Sequence, residues 1–200
     1  MPSAVLHERS PLHGLATPGH HGRVGVTGLT IVERSDIEFA NIIARRGKRD
    51  ALVAAAQETL GVALPAGPHR VSKAGMTFAG VGPDQWIASA ENRKGFPAAL
   101  RERIGAVAAV IDQSDSRLVL HLSGPRVREV LAKGVPVDLH PRAFKAGDVA
   151  TTLVAHIAVQ IDMLDDAPTY QLTAPRSMAG SFWSWLTASA AEFGYDVVTR

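Results

Sequence analysis

The alternation of apolar and polar positions is clearest in the second half of the chain. A polar turn at 112–115 precedes a segment in which every second residue is leucine, at Leu118, Leu120 and Leu122. Because successive side chains of a strand point to opposite faces, the pattern predicts a half-buried strand over 117–122. Apolar residues at helical spacing follow over 124–133. We predict a helix there, capped by Ser123 and ended by Gly134 in a left-handed conformation.

The same patterns along the chain predict ten strands and four helices. The predicted strands are 29–34, 37–44, 77–81, 85–89, 106–111, 117–122, 149–155, 157–163, 169–174 and 195–198. The predicted helices are 48–60, 96–104, 124–133 and 177–192. The predicted elements of residues 29–111 run β-β-α-β-β-α-β, and those of residues 117–198 run β-α-β-β-β-α-β. Each of these two halves resembles a split β-α-β unit. The predicted fold class is therefore α+β, with two pseudo-repeated ferredoxin-like β-α-β halves packed as one domain.

The domain boundaries follow from composition. Residues 1–27 are rich in proline, glycine and histidine without sustained periodicity, which predicts an extended N-terminal arm. Residues 28–200 are predicted to form a single domain with halves at about 28–112 and 117–200, because no long Pro/Ser linker separates them. The arm holds four histidines, but their spacing is irregular and no thiol accompanies them, which argues against a metal site.

Composition excludes several function classes. The 200 residues include no cysteine, so a disulfide framework, a thiolate nucleophile and a Cys-based metal centre are excluded. The formal net charge is +2 without a long Lys/Arg run, so we expect no nucleic-acid partner. No apolar run approaches the length of a membrane span, and the N-terminus lacks a signal-peptide core. We therefore expect a cytoplasmic protein without a membrane partner.

Candidate chemistry is sparse. Asp138 and His140 would share a face of a strand and form an acid–base dyad, but a turn built around Pro141 is the stronger interpretation. His121 and His156 are predicted to lie in apolar strands as structural residues. The three aspartates Asp162, Asp165 and Asp166 are predicted to be turn residues, because a calcium loop would need a different spacing. We find no Gly-rich phosphate-binding motif and assign no catalytic, cofactor or metal residue.

Several separated motifs, in order, resemble those of the gamma subunit of heterotetrameric sarcosine oxidase. They are DQS at 112–114, RLVLHLSGPR at 117–126, LAKG at 131–134, DLHPRAF at 138–144, DVATTLVAH at 148–156, APRSMAGSFWSWL at 174–186 and EFG at 192–194. The resemblance spans roughly residues 9–194. That family in turn resembles the folate-binding part of the glycine-cleavage T-protein (aminomethyltransferase), mainly over 117–133. The second resemblance implies a T-protein-like folate-binding-domain fold.

The first resemblance implies a non-catalytic structural subunit. Its complex would oxidatively demethylate sarcosine to glycine, produce hydrogen peroxide and transfer the one-carbon unit to tetrahydrofolate. The implied partners are the alpha, beta and delta subunits, chiefly alpha. FAD, FMN, NAD and zinc are expected on those partners and none on this chain. The alternative is a stand-alone folate-binding protein or aminomethyltransferase-like enzyme that uses the cleft between the two halves.

The predicted C-terminal helix supplies one candidate for a subunit interface. At about 100° per residue, one apolar stripe is formed by Met178, Phe182, Trp185, Leu186 and Phe193. Trp183 falls on the flank of this stripe, and an exposed tryptophan is typical of interface hot spots. We therefore predict that Trp183 packs on a partner subunit. The alternative is that the neighbouring half or the N-terminal arm covers Trp183 within the same chain.

Overall fold

Two β-sheets, four α-helices and three short 3-10 helices are found between residues 9 and 198, which are the residues that the computed structural model describes. The strands are β1 (Gly19–His21), β2 (Leu29–Glu33), β3 (Ile37–Ala44), β4 (Arg70–Lys73), β5 (Met76–Gly82), β6 (Gln85–Glu91), β7 (Ala108–Asp112), β8 (Arg117–Ser123), β9 (Val149–Val154), β10 (Ile157–Asp165), β11 (Thr169–Pro175) and β12 (Tyr195–Val198). The helices are α1 (Arg49–Leu60), α2 (Phe96–Ile104), α3 (Val127–Ala132) and α4 (Ala179–Ala190).

The five-stranded sheet carries the first ferredoxin-like unit. Its order is β4-β5-β6-β3-β7, and all of its pairings are antiparallel. Without the edge strand β4, the elements follow the chain as β3, α1, β5, β6, α2 and β7. The first strand then lies between the third and the fourth, which is the arrangement of a split β-α-β unit. The short edge strand β4 was not predicted from the sequence.

The seven-stranded sheet carries the second unit, in the order β1-β12-β2-β8-β11-β10-β9. The unit runs β8, α3, β10, β11, α4 and β12, so its first strand again lies beside its third. Strand β2 is inserted between β12 and β8, parallel to the former and antiparallel to the latter. This strand precedes residue 112 in the chain, yet it lies in the sheet of the second half. The predicted ferredoxin-like pseudo-repeat is confirmed. Because β2 of the first half pairs within the sheet of the second half, it links the two halves.

Helices cover the outer face of each sheet, and the inner faces meet. Helices α1 and α2 share a core with the five-stranded sheet through buried residues such as Leu52, Leu100 and Phe78. Helices α3 and α4 share a core with the seven-stranded sheet, where Leu118, Leu120 and Leu122 are fully buried as the alternation predicts. Between the sheets lies a small apolar cluster of Ile37, Phe39 and Val119. The layers therefore run helix, sheet, sheet, helix.

The N-terminal segment from residue 9 is anchored to the second core. Leu12 is 2% exposed and belongs to the same cluster as α3 and α4. Strand β1 pairs with β12, and the Nδ1 atom of His20 lies 2.7 Å from Oδ1 of Asp196. The backbone N–H of Arg23 donates to the carbonyl of Ala191 at 2.9 Å. The sequence predicts an extended arm here, and the short strand β1 was missed because three residues carry no periodicity.

The boundaries of α3 differ from the prediction. The helix begins at Val127 after Arg126 rather than after a Ser123 cap, and no side chain caps it. Lys133 follows the helix in a right-handed conformation, and Gly134 is not among the residues with positive φ. The predicted left-handed exit at Gly134 is therefore wrong. The glycine is required for a different reason, since a Cβ atom there would lie 2.7 Å from the Trp185 ring.

Candidate functional site

A polar layer between the two sheets is the most unusual feature of the molecule. In the seven-stranded sheet, Gln160 lies opposite Thr173, and Gln171 lies between Asp162 and His121. Alternation along each strand places these five side chains on one face, away from the leucine-rich core. The same face carries Val119, which packs on Phe39 of the facing sheet. The polar side chains are therefore enclosed between sheets rather than exposed to solvent.

Arg34 is the hub of this layer. It is only 5% exposed, and its Nε and Nη2 atoms donate to both carboxylate oxygens of Asp36 at 2.7 and 2.8 Å. Nη2 also lies 2.7 Å from Oε2 of Glu91. The bonds to Asp36, and next the bond to Glu91, raise the pKa of Arg34 against the opposing effect of burial. The guanidinium therefore joins the two sheets as a permanently charged, fully paired group.

A chain of hydrogen bonds continues from Arg34 across the seven-stranded sheet. Nη1 of Arg34 lies 3.3 Å from Nδ1 of His121, and Nε2 of His121 lies 3.1 Å from Oε1 of Gln171. Since the guanidinium can only donate, Nδ1 of His121 accepts from Arg34, and the protonated Nε2 donates to Oε1 of Gln171. His121 is held on both sides by this chain. The prediction that it is a structural sheet residue agrees with these contacts.

Asp162 lies at the far end of the layer and is 2% exposed. Desolvation raises its pKa to about 6, although a hydrogen bond from Gln160 and the charge of Arg70 act in the opposite direction. Nε2 of Gln160 donates to Oδ1 of Asp162 at 2.6 Å. The prediction that Asp162 is a turn residue is wrong, because the strand continues past it to Asp165. Asp165 does form the turn, accepting hydrogen bonds from the N–H groups of Ala167 and Thr169.

The layer is incompletely hydrogen-bonded. Four buried polar atoms have no hydrogen-bond partner within the described part of the chain: Oδ1 of Asn41, Nη1 of Arg70, Oε1 of Gln160 and Oγ1 of Thr173. A buried polar group without a partner costs on the order of 1–3 kcal/mol. The layer therefore reduces stability relative to an apolar interface between the sheets, while fixing their relative position through directed bonds.

Two cavities open at the edges of the layer. One, of about 320 Å³, lies where the N-terminal segment crosses the chain and is lined by arginines including Arg117 and Arg176. The other, of about 300 Å³, lies between the sheets beside Arg70 and Gln171. Neither is lined by a histidine, a tyrosine or a lysine among residues 9–198. The side chains that line them can bind anions or hydrogen-bond a ligand, and their potential nucleophiles are serine and threonine hydroxyls and the carboxylates of Asp115 and Glu91.

The Asp138–His140 pair builds a turn. Oδ1 of Asp138 accepts from the backbone N–H of His140 at 2.9 Å, and Nδ1 of His140 accepts from the N–H of Arg142 at 3.2 Å. Both side chains bond to backbone groups rather than to each other, which agrees with the structural interpretation. His156 was predicted to lie in a strand, and this is wrong. It occupies the turn between β9 and β10 with a φ of 68°.

Trp183 is buried in this chain, with 9% of its surface exposed. It belongs to the same core cluster as Phe182 of α4 and Leu12 of the N-terminal segment. The side chain of Leu15 from that segment also lies beside Gly180, one turn before Trp183. The expected exposure of Trp183 is therefore wrong, because the buried face of α4 is centred between Phe182 and Trp183. Its role at a subunit interface stays a prediction.

Residues 9–198 contain neither a cluster of metal ligands nor a helix that could span a membrane. No group of three or more His, Cys, Asp or Glu side chains in this range could hold a metal ion. No helix in the same range is long and apolar enough to cross a membrane. Residues 1–8, with His7 of the predicted arm, lie outside the described residues.

Sequence reasoning missed the polar layer, although a signal for it exists. Gln160 and Asp162, and likewise Gln171 and Thr173, are spaced two apart in strands that are otherwise apolar. In a strand that is exposed on one face, such positions point to solvent. Only the packing of a second sheet on that face makes them buried, and no local pattern in the sequence specifies that packing.

Comparison with known proteins places the chain among sarcosine oxidase subunits. A model of the "Sarcosine oxidase, gamma subunit family" matches residues 46–192. Sarcosine oxidase subunit gamma from Corynebacterium sp. (strain P-1) is 33% identical over 195 residues, which cover 95% of this chain and 93% of the relative. The subunit gamma from an Arthrobacter species is 34% identical over 195 residues, with the same coverage of both chains.

Similarity to solved structures agrees with these sequence matches. A chain of heterotetrameric sarcosine oxidase from Corynebacterium sp. U-96, in complex with pyrrole 2-carboxylate, superposes with a TM-score of 0.78 at 29% identity. The match covers 93% of this chain and 96% of that one. The glycine cleavage system aminomethyltransferase T from Bartonella henselae matches with a TM-score of 0.60 at 14% identity, covering 87% of this chain and 48% of that one. At this identity the second likeness shows the fold alone, and it confirms the predicted T-protein-like fold.

Proposed function

The chain belongs to the sarcosine oxidase gamma subunit family, and from this premise we propose that it is the gamma subunit of a heterotetrameric sarcosine oxidase. The observation that carries the proposal is the end-to-end match to a chain of such a complex, at a TM-score of 0.78. A match that covers nearly all of both chains leaves no large domain of either without a counterpart. The proposed role is therefore that of the whole relative rather than of a shared domain.

Within the complex, we assign this chain a structural role. The proposed reaction is the oxidative demethylation of sarcosine to glycine, with formation of hydrogen peroxide and transfer of the one-carbon unit to tetrahydrofolate. The proposed partners are the alpha, beta and delta subunits, with alpha making the main contact. FAD, FMN, NAD and zinc are proposed to reside on those partners, and the complex is proposed to be cytoplasmic.

The polar layer supports a structural rather than a catalytic role. Its charged hub is neutralised within the chain, because Asp36 and Glu91 hold the Arg34 guanidinium at 2.7 Å. His121 is used on both ring nitrogens and is not poised as a base toward either cavity. Such a layer fixes the relative position of the two sheets, which is what a subunit that braces larger chains requires.

Co-expression tests the proposal. We expect this chain, carrying an affinity tag, to co-purify with the alpha, beta and delta subunits and to co-elute with them in gel filtration. The purified chain alone should form no hydrogen peroxide from sarcosine. Equilibrium dialysis with tetrahydrofolate tests the stand-alone alternative. Micromolar binding by the isolated chain, without retention of any partner subunit, would replace the proposal with that alternative.

A further inference from the structure

The cavity at the edge of the polar layer collects positive charge at one place. It is lined by Arg9, Arg34, Arg117 and Arg176, and Asp115 is the only acidic residue in the lining within the described range. The fold brings two of these together across a strand pair. Arg117 lies opposite Pro175 in the ladder between β8 and β11, and Arg176 follows directly. The side chains of two arginines therefore emerge from adjacent strand ends.

The charges in this cavity differ in how they are balanced. Arg34 is neutralised by Asp36 and Glu91. In contrast, Arg9, Arg117 and Arg176 have no carboxylate within ion-pair distance among residues 9–198. Asp115 also lines the cavity, but its carboxylate forms no ion pair within residues 9–198. Three guanidinium groups thus surround one cavity without a counter-ion from residues 9–198.

Arg117 is the most informative of the three. It is partly buried and has no carboxylate within ion-pair distance among residues 9–198, and desolvation lowers the pKa of its guanidinium. Arg176 also contacts the N-terminal segment. Its Nη2 atom donates to the carbonyl of Arg9 and so fixes this segment over the cavity. The floor is apolar, formed by Ile37, Phe39 and Val119. An apolar floor excludes water and strengthens the attraction of the arginines for an anion.

We propose that this cavity is a binding site for an anionic oxygen group, a carboxylate or a phosphate, held mainly by Arg117 and Arg176. Guanidinium groups bind both anions through paired N–H donors. The group can come from an acidic side chain of a partner subunit or from a free small anion. The inference goes beyond the proposed function, because the cavity and its charges belong to this chain alone. Only the partner source rests on the proposed function.

The first experiment uses inorganic phosphate as the probe on the full chain. The melting temperature is measured in phosphate and in sodium chloride of equal ionic strength. At a tenfold excess over its Kd, phosphate should raise the Tm by about 3–6 °C more than chloride does. Arg117→Gln should lose this difference, whereas Arg117→Lys should keep part of it. The side chain of Arg117 makes no hydrogen bond within residues 9–198, and its backbone pairing in β8 is unaffected by substitution, so circular dichroism of these variants should remain native.

A matched control separates a site from a general effect. Phosphate stabilises many proteins because it is excluded from their surfaces, and that effect is common to all variants. Arg46 is exposed and does not line the cavity, so Arg46→Gln removes the same charge without touching the site. It should retain the full phosphate shift. Equal shifts in the original chain, Arg117→Gln and Arg46→Gln would overturn the proposal.

The second experiment identifies the source of the anion. Tagged chain is co-expressed with the alpha, beta and delta subunits and washed with increasing phosphate. If phosphate releases partners from the original chain, and Arg117→Gln retains fewer partners from the start, the anion is a carboxylate of a partner subunit. If partner retention is unaffected while the thermal shift persists, the anion is a free small molecule. Absence of all partners with an intact thermal shift would contradict the proposed function and leave the anion site supported.

Discussion

Gly134 lies against the indole ring of Trp185 so closely that no side chain fits between them. A Cβ atom on Gly134 would lie 2.7 Å from both Cζ2 and Nε1 of Trp185. Gly134 follows α3, and Trp185 belongs to α4. The contact therefore sets the distance between the two helices that cover the seven-stranded sheet, and it explains this glycine by close approach rather than by backbone conformation.

Gly134→Ala should destabilise the chain. The added methyl group must push the indole ring or the backbone of α3, and overpacking of this kind costs about 1–3 kcal/mol. Urea unfolding followed by circular dichroism measures the loss. In a Trp185→Val background the same substitution should cost much less, since the ring that it collides with is gone.

Gly180→Ala provides the matched control for that experiment. Gly180 lies in the first turn of α4, and a Cβ atom there would meet only Leu15, at 3.8 Å. Alanine is favoured over glycine in a helix by roughly 1 kcal/mol. Gly180→Ala should therefore be neutral or stabilising. Equal destabilisation by both substitutions would show that the Trp185 contact is not the cause.

Trp183 and Phe182 offer a direct test of core against interface. Phe182 is fully buried, and Phe182→Ala should cost about 3–5 kcal/mol. Since Trp183 is 9% exposed, we expect Trp183→Ala to destabilise the lone chain by a comparable amount. Thermal melting of both variants checks this. The interface prediction instead requires that Trp183→Ala leaves the melting of the lone chain nearly unchanged and weakens co-purification with the large subunits by roughly 2 kcal/mol.

Local patterns predicted most of the elements, and the errors arise where distant parts of the chain meet. The leucine alternation at 117–122 identified β8 and its buried face, because that face is set by period alone. The same reasoning could not foresee that β2 would join the other sheet, since pairing with β12 depends on residues 160 or more positions away. Asp162 and Trp183 were misjudged for the same reason. Their burial is provided by a second sheet and by the N-terminal segment.

Replacement of both Asp138 and His140 by alanine should lower stability and spare turnover. The pair satisfies the backbone N–H groups of His140 and Arg142, so its loss leaves two turn donors to solvent at a cost of about 1–2 kcal/mol. Turnover of the assembled complex with sarcosine should change less than twofold. A large fall in turnover with unchanged assembly and melting would instead identify a catalytic dyad. Asp138→Asn, which keeps an accepting oxygen, should be nearly neutral.

The burial of Asp162 makes the stability of the chain depend on pH in a defined direction. Desolvation raises its pKa to about 6 from an ordinary value of 3.8, so the native state holds a proton that the unfolded state has lost. Between about pH 4 and 6 the native state binds more protons, and stability therefore falls as the pH rises through this window. Above pH 6 the full cost is present, on the order of 3 kcal/mol.

Asp162→Asn should remove this cost while keeping the side-chain oxygen that accepts from Gln160. We expect the variant to be more stable than the original chain by about 1–3 kcal/mol at pH 7.5 and nearly equal to it at pH 4. Asp165→Asn is the control of opposite sign. Slight burial raises the pKa of the Asp165 carboxyl, but hydrogen bonds from Thr169 and Ala167 outweigh this effect and lower the pKa overall. The contribution of Asp165 to folding stability is therefore lost as the pH falls. Urea unfolding of the three proteins at pH 4, 5, 6 and 7.5 compares them. If Asp162→Asn destabilises the chain at pH 7.5, the carboxylate is a stabilising partner of Arg70 and the desolvation argument is wrong.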